Sequence, residues 1–441
     1  MSILNTKIFN NNQKIALLGL GLDNRALLTL FNAAKIKASI TICDARPKKD
    51  LALPRLKNLK VNYQLGATFN KNLFKFDILF RSPGWPLSCP GIKEALRRKK
   101  TKLTSPLNLF FELCPTKNII GVTGTKGKGT TATLIYKILK DAGRRVFLGG
   151  NIGVAPLSFL TKIKPNDYVI LELSSFQLED LKSSPKIAVI TNLFKEHLAP
   201  ADPNNPNFHH SYNDYWQAKL NIAKNEPNQY LVANKALKNK LKPSRLNSKI
   251  IYFAAGSLPT KLVGNFNQEN IGAAIAVAKI LKIKPKSYKK MIANFVNLEH
   301  RLEFVTERGG VKYFDNSFST TPESTILDLK SFRAPIILIA GGADKGADFR
   351  ALAGTIKNKV KYLILLSGRA TPRIKKELLK IRFPKKKLME TSSMALAVAS
   401  ARAVGRSGDI ILLSTACASF GLFKNYKERG DEFKKYARSK R

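Results

Sequence analysis

Cysteine is scarce in this chain, and the four present, Cys43, Cys89, Cys114 and Cys417, lie far apart with no C-x-x-C pair. That spacing argues against a disulfide framework and against a zinc site. Acidic residues are also few: 30 Asp and Glu stand against 76 Lys and Arg, a formal charge of +46 over 441 residues. Such an excess favours polyanionic partners, yet the lysines are scattered through every segment. The densest runs, Arg97 to Lys100 and Lys385 to Lys387, are short, and no basic arm stands apart. Without a basic stripe interleaved with aromatic platforms, no nucleic-acid partner is expected. Long apolar runs are missing too, which argues against a membrane span. The run Ile15 to Leu22 is broken by Gly19 and Gly21 and reads as a strand and turn, not a signal peptide. A cytoplasmic protein without membrane insertion is expected. Solenoid repeats and low-complexity linkers are absent.

What the chain does have is alternation of short apolar strands with helical segments, repeated three times. A length of 441 residues suggests two or three domains. Lys14 to Leu18, the turn Gly19-Leu20-Gly21, a helix from Asn24 to Ala34 and a strand from Ser39 to Cys43 ending at Asp44 have Rossmann-like order. Asn24 stands where the third glycine of G-x-G-x-x-G belongs, so the motif alone is weak evidence for a dinucleotide. Asp77 to Phe80 leads into Arg81-Ser82-Pro83-Gly84, a turn at the sheet edge where open α/β folds bind ligands. Strands are also expected at Tyr168 to Leu173, Ile187 to Leu193, Val311 to Phe314, Ile336 to Ala340, Tyr362 to Leu366 and Ile410 to Leu413. Helices are expected at Ile374 to Leu379 and Ser393 to Val404. The expected fold is α/β in three domains: Rossmann-like over 1–104, a central mononucleotide-binding P-loop-type domain over 105–297, and a doubly wound Rossmann-like domain over 298–441.

The most informative segment runs from the apolar strand at Ile119 through Gly121-Val122-Thr123-Gly124-Thr125-Lys126-Gly127-Lys128-Gly129-Thr130 into a helix from Thr131 to Lys140. Glycines let backbone N–H groups close around phosphate oxygens, the helix offers its N-terminal dipole, and Lys128 adds a point charge. An ordinary Walker pattern fails, because Val122 lies six before Lys128 and Gly129 follows it where a Mg²⁺-binding Ser or Thr is usual.

The segment resembles the loop of the Mur ligase family of ATP-dependent amide-forming enzymes, T-G-T-N-G-K-[ST]-T, and departs from it at Lys126 and Gly129. The resemblance covers nearly the whole chain in order. It includes Gly149 to Gly153, Leu171 to Glu179, Asn192 to Leu198, Ala218 to Leu220, Gly264 to Asn270, His300 to Glu303, Gly341 to Phe349, and Ser414 to Ser419 with Lys424-Asn425-Tyr426. The last two segments resemble the branch that adds D-glutamate to UDP-N-acetylmuramoyl-L-alanine.

What the resemblance implies is an ATP-dependent ligase of peptidoglycan precursor synthesis working through an acyl phosphate, in which charge neutralisation and positioning carry most of the catalysis. It implies that Gly124, Thr125, Lys126, Gly127, Lys128, Gly129, Thr130, Asn270, Arg301 and Asn316 bind ATP. Two Mg²⁺ sites are implied, with Glu172, His197, Thr130 and Lys219 as ligands, Lys219 as its carbamate. The UDP-substrate would lie against Leu22, Asp23, Asp44, Arg46, Ser82, Pro83, Gly84, Asn151 and Ser174. D-glutamate would meet Thr320, Lys345, Ser419 and Tyr426. Lys128, Glu172, His197, Lys219 and Lys345 are the implied catalytic group. Small molecules are the expected partners, and a monomer is the expected state. Asp315-Asn316-Ser317 departs from the family's Asn-Asp-Ser, so Asn316 replaces a carboxylate; Asp315 could substitute only against strand alternation.

Overall fold

The computed structural model describes residues 9, 12–198, 207–224, 229–241, 246, 248–344 and 346–439. They form three sheets whose central strands read as near-continuous apolar runs, as expected for parallel strands buried on both faces. The chain divides into two compact units. Residues 1–256 with 269–291 make the first, which holds two of the sheets; residues 257–268 with 292–441 make the second.

In the first unit, β1 (Lys14–Leu18), β2 (Ser39–Asp44), β3 (Val61–Leu65), β4 (Ile78–Arg81) and β5 (Lys102–Thr104) form a parallel sheet in the order β3-β2-β1-β4-β5. The order reverses between β1 and β4, so the turns after these two strands flank the crevice where such folds bind ligands. Asn24, the departure from the glycine pattern, has a structural task here. Its Nδ2 donates to the carbonyls of Leu18, Gly19 and Phe80, tying the two turns together.

The second sheet comprises β6 (Ile119–Thr123), β7 (Val146–Gly150), β8 (Tyr168–Glu172), β9 (Ile187–Ile190), β10 (Gln229–Asn234) and β11 (Ser248–Phe253). They are all parallel, in the order β11-β10-β9-β6-β8-β7. β6 therefore delivers its glycine loop between the ends of β8 and β9. The expected strand to Leu193 stops at Ile190, because Thr191 and Asn192 turn to hydrogen-bond the loop. The expected helix from Thr131 starts earlier, at Lys128, so Gly129 lies inside its first turn.

In the second unit, β12 (Glu303–Arg308), β13 (Val311–Asp315), β14 (Ile336–Gly341), β15 (Val360–Leu366), β16 (Leu388–Thr391) and β17 (Ile410–Leu413) are ordered β12-β13-β17-β14-β15-β16. Only β12 is antiparallel, to β13. Ile336 to Ala340 and Ile411 to Leu413 are wholly buried, with apolar helices and loops on both faces. Each Ile or Leu side chain among them contributes about 1.5–3 kcal/mol. No helix among the described residues is long and apolar enough to cross a membrane, and the four cysteines are free and buried.

Candidate functional site

The glycine loop owes its shape to two glycines that no other residue could replace. Gly124 has φ 144°, and a Cβ there would lie 1.9 Å from Thr191 Oγ1; Gly127 has φ 80°, and its Cβ would lie 2.1 Å from Asn270 Oδ1. Side chains then hold the loop from several directions. Thr125 N–H donates to the Asn192 carbonyl at 3.0 Å, Thr125 Oγ1 meets Tyr215 OH at 3.0 Å, and Lys128 Nζ donates to the Thr125 carbonyl at 3.0 Å. Asn270 accepts from Thr131 Oγ1, in the helix that follows the loop, at 3.2 Å. Gly129 and Thr130 are buried in the first helical turn.

Lys219 is not the solvated helix lysine that composition suggests. It is 1 % exposed, donates from Nζ to the Gly124 carbonyl at 2.9 Å and lies over the Tyr215 ring. Burial above all, then the Lys128 charge, holds its pKa well below the ordinary value, which favours the neutral amine. Glu172, at the end of β8, is buried. Its Oε1 accepts from Asn151 Nδ2 at 3.0 Å, while its Oε2 has no hydrogen-bond partner among the described residues. A buried carboxylate oxygen without a partner suits a hard cation. His197 has φ 60° and packs edge-on against Phe176. The residue is exposed, and desolvation, then Lys128 and Lys219 against the pull of Glu196, shifts its pKa downward, toward the neutral imidazole that ligates metals.

A cavity of about 920 Å³ opens beside these groups in the same unit. Leu22, Asp23, Asp44, Arg46, Ser82, Pro83, Gly84 and Asn151 all line it. Ser174 does not; it caps the short helix Ser175–Leu178, accepting from Gln177 N–H. Asp44 and Arg46 bind each other, at 2.8 Å, with Asp44 also accepting from Leu20 N–H. Sequence reading missed Phe69, Trp85 and Gln177 in this lining. The Trp85 and Phe69 ring centroids are 4.8 Å apart, and Trp85 Nε1 is buried without a partner among the described residues. Arg81, also missed, is 1 % exposed and organises the lining. It forms a paired bond with Asp180 (3.0 and 2.9 Å), reaches Glu179 at 3.1 Å, and donates to the carbonyls of Trp85 and Phe176.

In the second unit, the loops following β13, β14 and β17 converge. Ala343 N–H donates to the Ala418 carbonyl, and buried Arg429 donates to the carbonyls of Ser317 and Cys417. Ser419 is buried, Thr320 and Tyr426 are partly exposed, and Thr321 caps the next helix. Lys345 lies outside the described residues. Arg301 stacks on Phe318, which meets Tyr426 edge-on. Asn316 donates to Asp328 Oδ2 at 2.7 Å. Asp315 cannot substitute for it: fully buried, it binds His300 Nδ1 at 2.7 Å and accepts from Ser317 N–H.

Residues 122–257 match the Mur ligase middle domain, and residues 300–417 match the glutamate ligase domain of Mur ligases. The UDP-N-acetylmuramoylalanine–D-glutamate ligase of Acetivibrio thermocellus is 36% identical over 99% of this chain and 99% of its own length. That of Clostridium kluyveri is 35% identical over 97% of each. Among solved structures, the MurF ligase of Thermotoga maritima in complex with ADP has a TM-score of 0.61 at 17% identity, covering 98% of this chain and 97% of its own. E. coli FolC in complex with ADP has a TM-score of 0.54 at 17% identity, covering 72% and 90%. These two likenesses concern the fold.

Proposed function

The chain belongs to the Mur ligase family, and from that membership we propose its reaction: ATP-dependent joining of UDP-N-acetylmuramoyl-L-alanine to D-glutamate, a step of peptidoglycan precursor synthesis. The observation that carries the reading is the near full-length identity to ligases of that name. The domains follow the division 1–104, 105–297 and 298–441, for the UDP-substrate, ATP and the amino acid respectively.

In this reading the substrate carboxylate attacks the γ-phosphorus of ATP, ADP leaves, and an acyl phosphate forms. The D-glutamate amine then attacks the acyl carbon; the C–O bond to phosphate breaks, phosphate leaves and the amine gives up a proton. The loop N–H groups and Lys128 bear the phosphate charge, a preorganised arrangement of the kind that stabilises phosphoryl transfer. The cavity beside Ser82-Pro83-Gly84 and Asn151 holds the UDP-substrate. Asn270, Arg301 and Asn316 serve the nucleotide, and Thr320, Lys345, Ser419 and Tyr426 serve D-glutamate. Glu172, with an oxygen unpartnered among the described residues, His197, Thr130 and carbamylated Lys219 would hold magnesium. A metal held by these residues would supply charge neutralisation to the phosphates. Phosphate release that needs ATP and both other substrates supports the reaction; release undiminished when either is omitted contradicts it.

A neutral, buried amine is the form that adds CO₂, giving a carbamate and a proton, and the product offers an anionic oxygen where an ammonium could not ligate a cation. Activity in CO₂-depleted buffer is expected to fall several-fold and to return with bicarbonate, and Lys219→Arg is expected to lose the response. Bicarbonate-independent kinetics together with an unmodified lysine in a high-resolution map would contradict the carbamate.

A further inference from the structure

The phosphate loop departs from the family pattern at two positions, and only one of them changes the charge. Gly129 offers no hydroxyl where the pattern has Ser or Thr, and Lys126 adds an ammonium where it has Asn. The backbone of Lys126 is fixed at the cradle: its N–H donates to Asn192 Oδ1 at 2.8 Å, and its carbonyl accepts from Thr191 Oγ1 at 2.6 Å and Asn192 Nδ2 at 3.1 Å. From that anchored start the side chain reaches Glu196 Oε1 at 2.8 Å. The pair is partly open, with side-chain exposures of 26% for Lys126 and 18% for Glu196. In the free enzyme this pair gives the ammonium one carboxylate partner. A tri- or tetra-anionic phosphate chain entering the cradle, by contrast, offers the ammonium several charged oxygens in place of one carboxylate, and lysine binds phosphate well as a point charge.

We propose that Lys126 is a second cationic ligand of the nucleotide phosphates, held by Glu196 in the free enzyme and transferred to the phosphates on binding. It supplies charge neutralisation that a hydroxyl-held metal at position 129 would otherwise share. The inference rests on the loop being the ATP site. Its consequence is nucleotide affinity that depends less on divalent metal than the standard loop would give.

ADP binding to the full-length protein, by titration calorimetry in EDTA and in magnesium, tests this. Lys126→Asn is expected to weaken ADP about tenfold in EDTA, the scale of one charged hydrogen bond, and by less in magnesium. Glu196→Gln is expected to strengthen ADP binding in EDTA, because the ammonium is released. Adding Gly129→Ser to Lys126→Asn is expected to restore affinity in magnesium but not in EDTA. If Lys126→Asn and Glu196→Gln weaken binding together, the pair is structural and the proposal fails. Unchanged ADP affinity in Lys126→Asn overturns it as well. Lys128→Met separates the two levels: its loss of ADP binding keeps the loop as the nucleotide site even where the Lys126 proposal fails. Wild-type binding by both lysine variants would reject the site itself.

Discussion

Replacing Lys128 with methionine is expected to lower kcat/KM for ligation by about 10³-fold, while the thermal melting of the protein changes little. Methionine keeps the length and apolar stem of lysine but removes the charge directed at the phosphates, and single preorganised donors at a developing charge contribute on that scale. The loop's shape does not depend on the ammonium. It is set by Gly124, Gly127 and the bonds to Thr191, Asn192 and Tyr215, of which the Lys128 contact with the Thr125 carbonyl is only one part. Steady-state kinetics with ATP varied, alongside circular-dichroism melting, makes the check. A fall of less than about tenfold in a folded variant would remove Lys128 from the catalytic group.

The second large effect falls on stability. Arg81→Ala is expected to destabilise the first unit by about 3–5 kcal/mol, the usual result of removing one partner from a buried ion pair. Two carboxylates, Asp180 and Glu179, would be left facing each other, and the carbonyls of Trp85 and Phe176 would lose their donor. Glu179 adds a pH dependence. Burial pushes its pKa up to about 7 against the pull of Arg81, from an ordinary 4.5. A carboxyl that is protonated more readily in the folded state contributes stability fully present below 4.5 and lost as pH rises through about 7. Without Arg81 that loss grows, so urea unfolding is expected to show a larger deficit at pH 8 than at pH 5.5. The KM for the UDP-substrate is expected to rise, since Arg81 fixes the turn that lines the cavity. Equal stability of variant and wild type at both pH values would contradict this account.

Local pattern made the strands around the site legible, because both faces of each are buried and the apolar runs announce them. β1, β13 and β17 lie where the sequence places them, and the loop after β6 is a cradle as its glycines require. The misses have physical reasons. Ile187 onward looked like a longer strand because Thr191 and Leu193 suit one, but the Thr191 hydroxyl is committed to a loop 65 residues away. Arg81 was read only as the start of a turn, since nothing local tells that its partners are Glu179 and Asp180, 98 and 99 residues on. Trp85 and Phe69 carried one usable signal, a large aromatic beside Ser82-Pro83-Gly84. Lys219 shows the limit of composition: among 76 basic residues it looked ordinary, and only folding against Gly124 and Tyr215 sets it apart.

The central claim is the choice of substrates, and product identification tests it most directly. The full-length protein, with ATP, magnesium and UDP-N-acetylmuramoyl-L-alanine, is given a panel of single amino acids, and the UDP-linked products are separated and weighed by mass spectrometry. The account predicts one amide product, formed with D-glutamate, together with stoichiometric ADP and phosphate. A product with another amino acid and none with D-glutamate would contradict it.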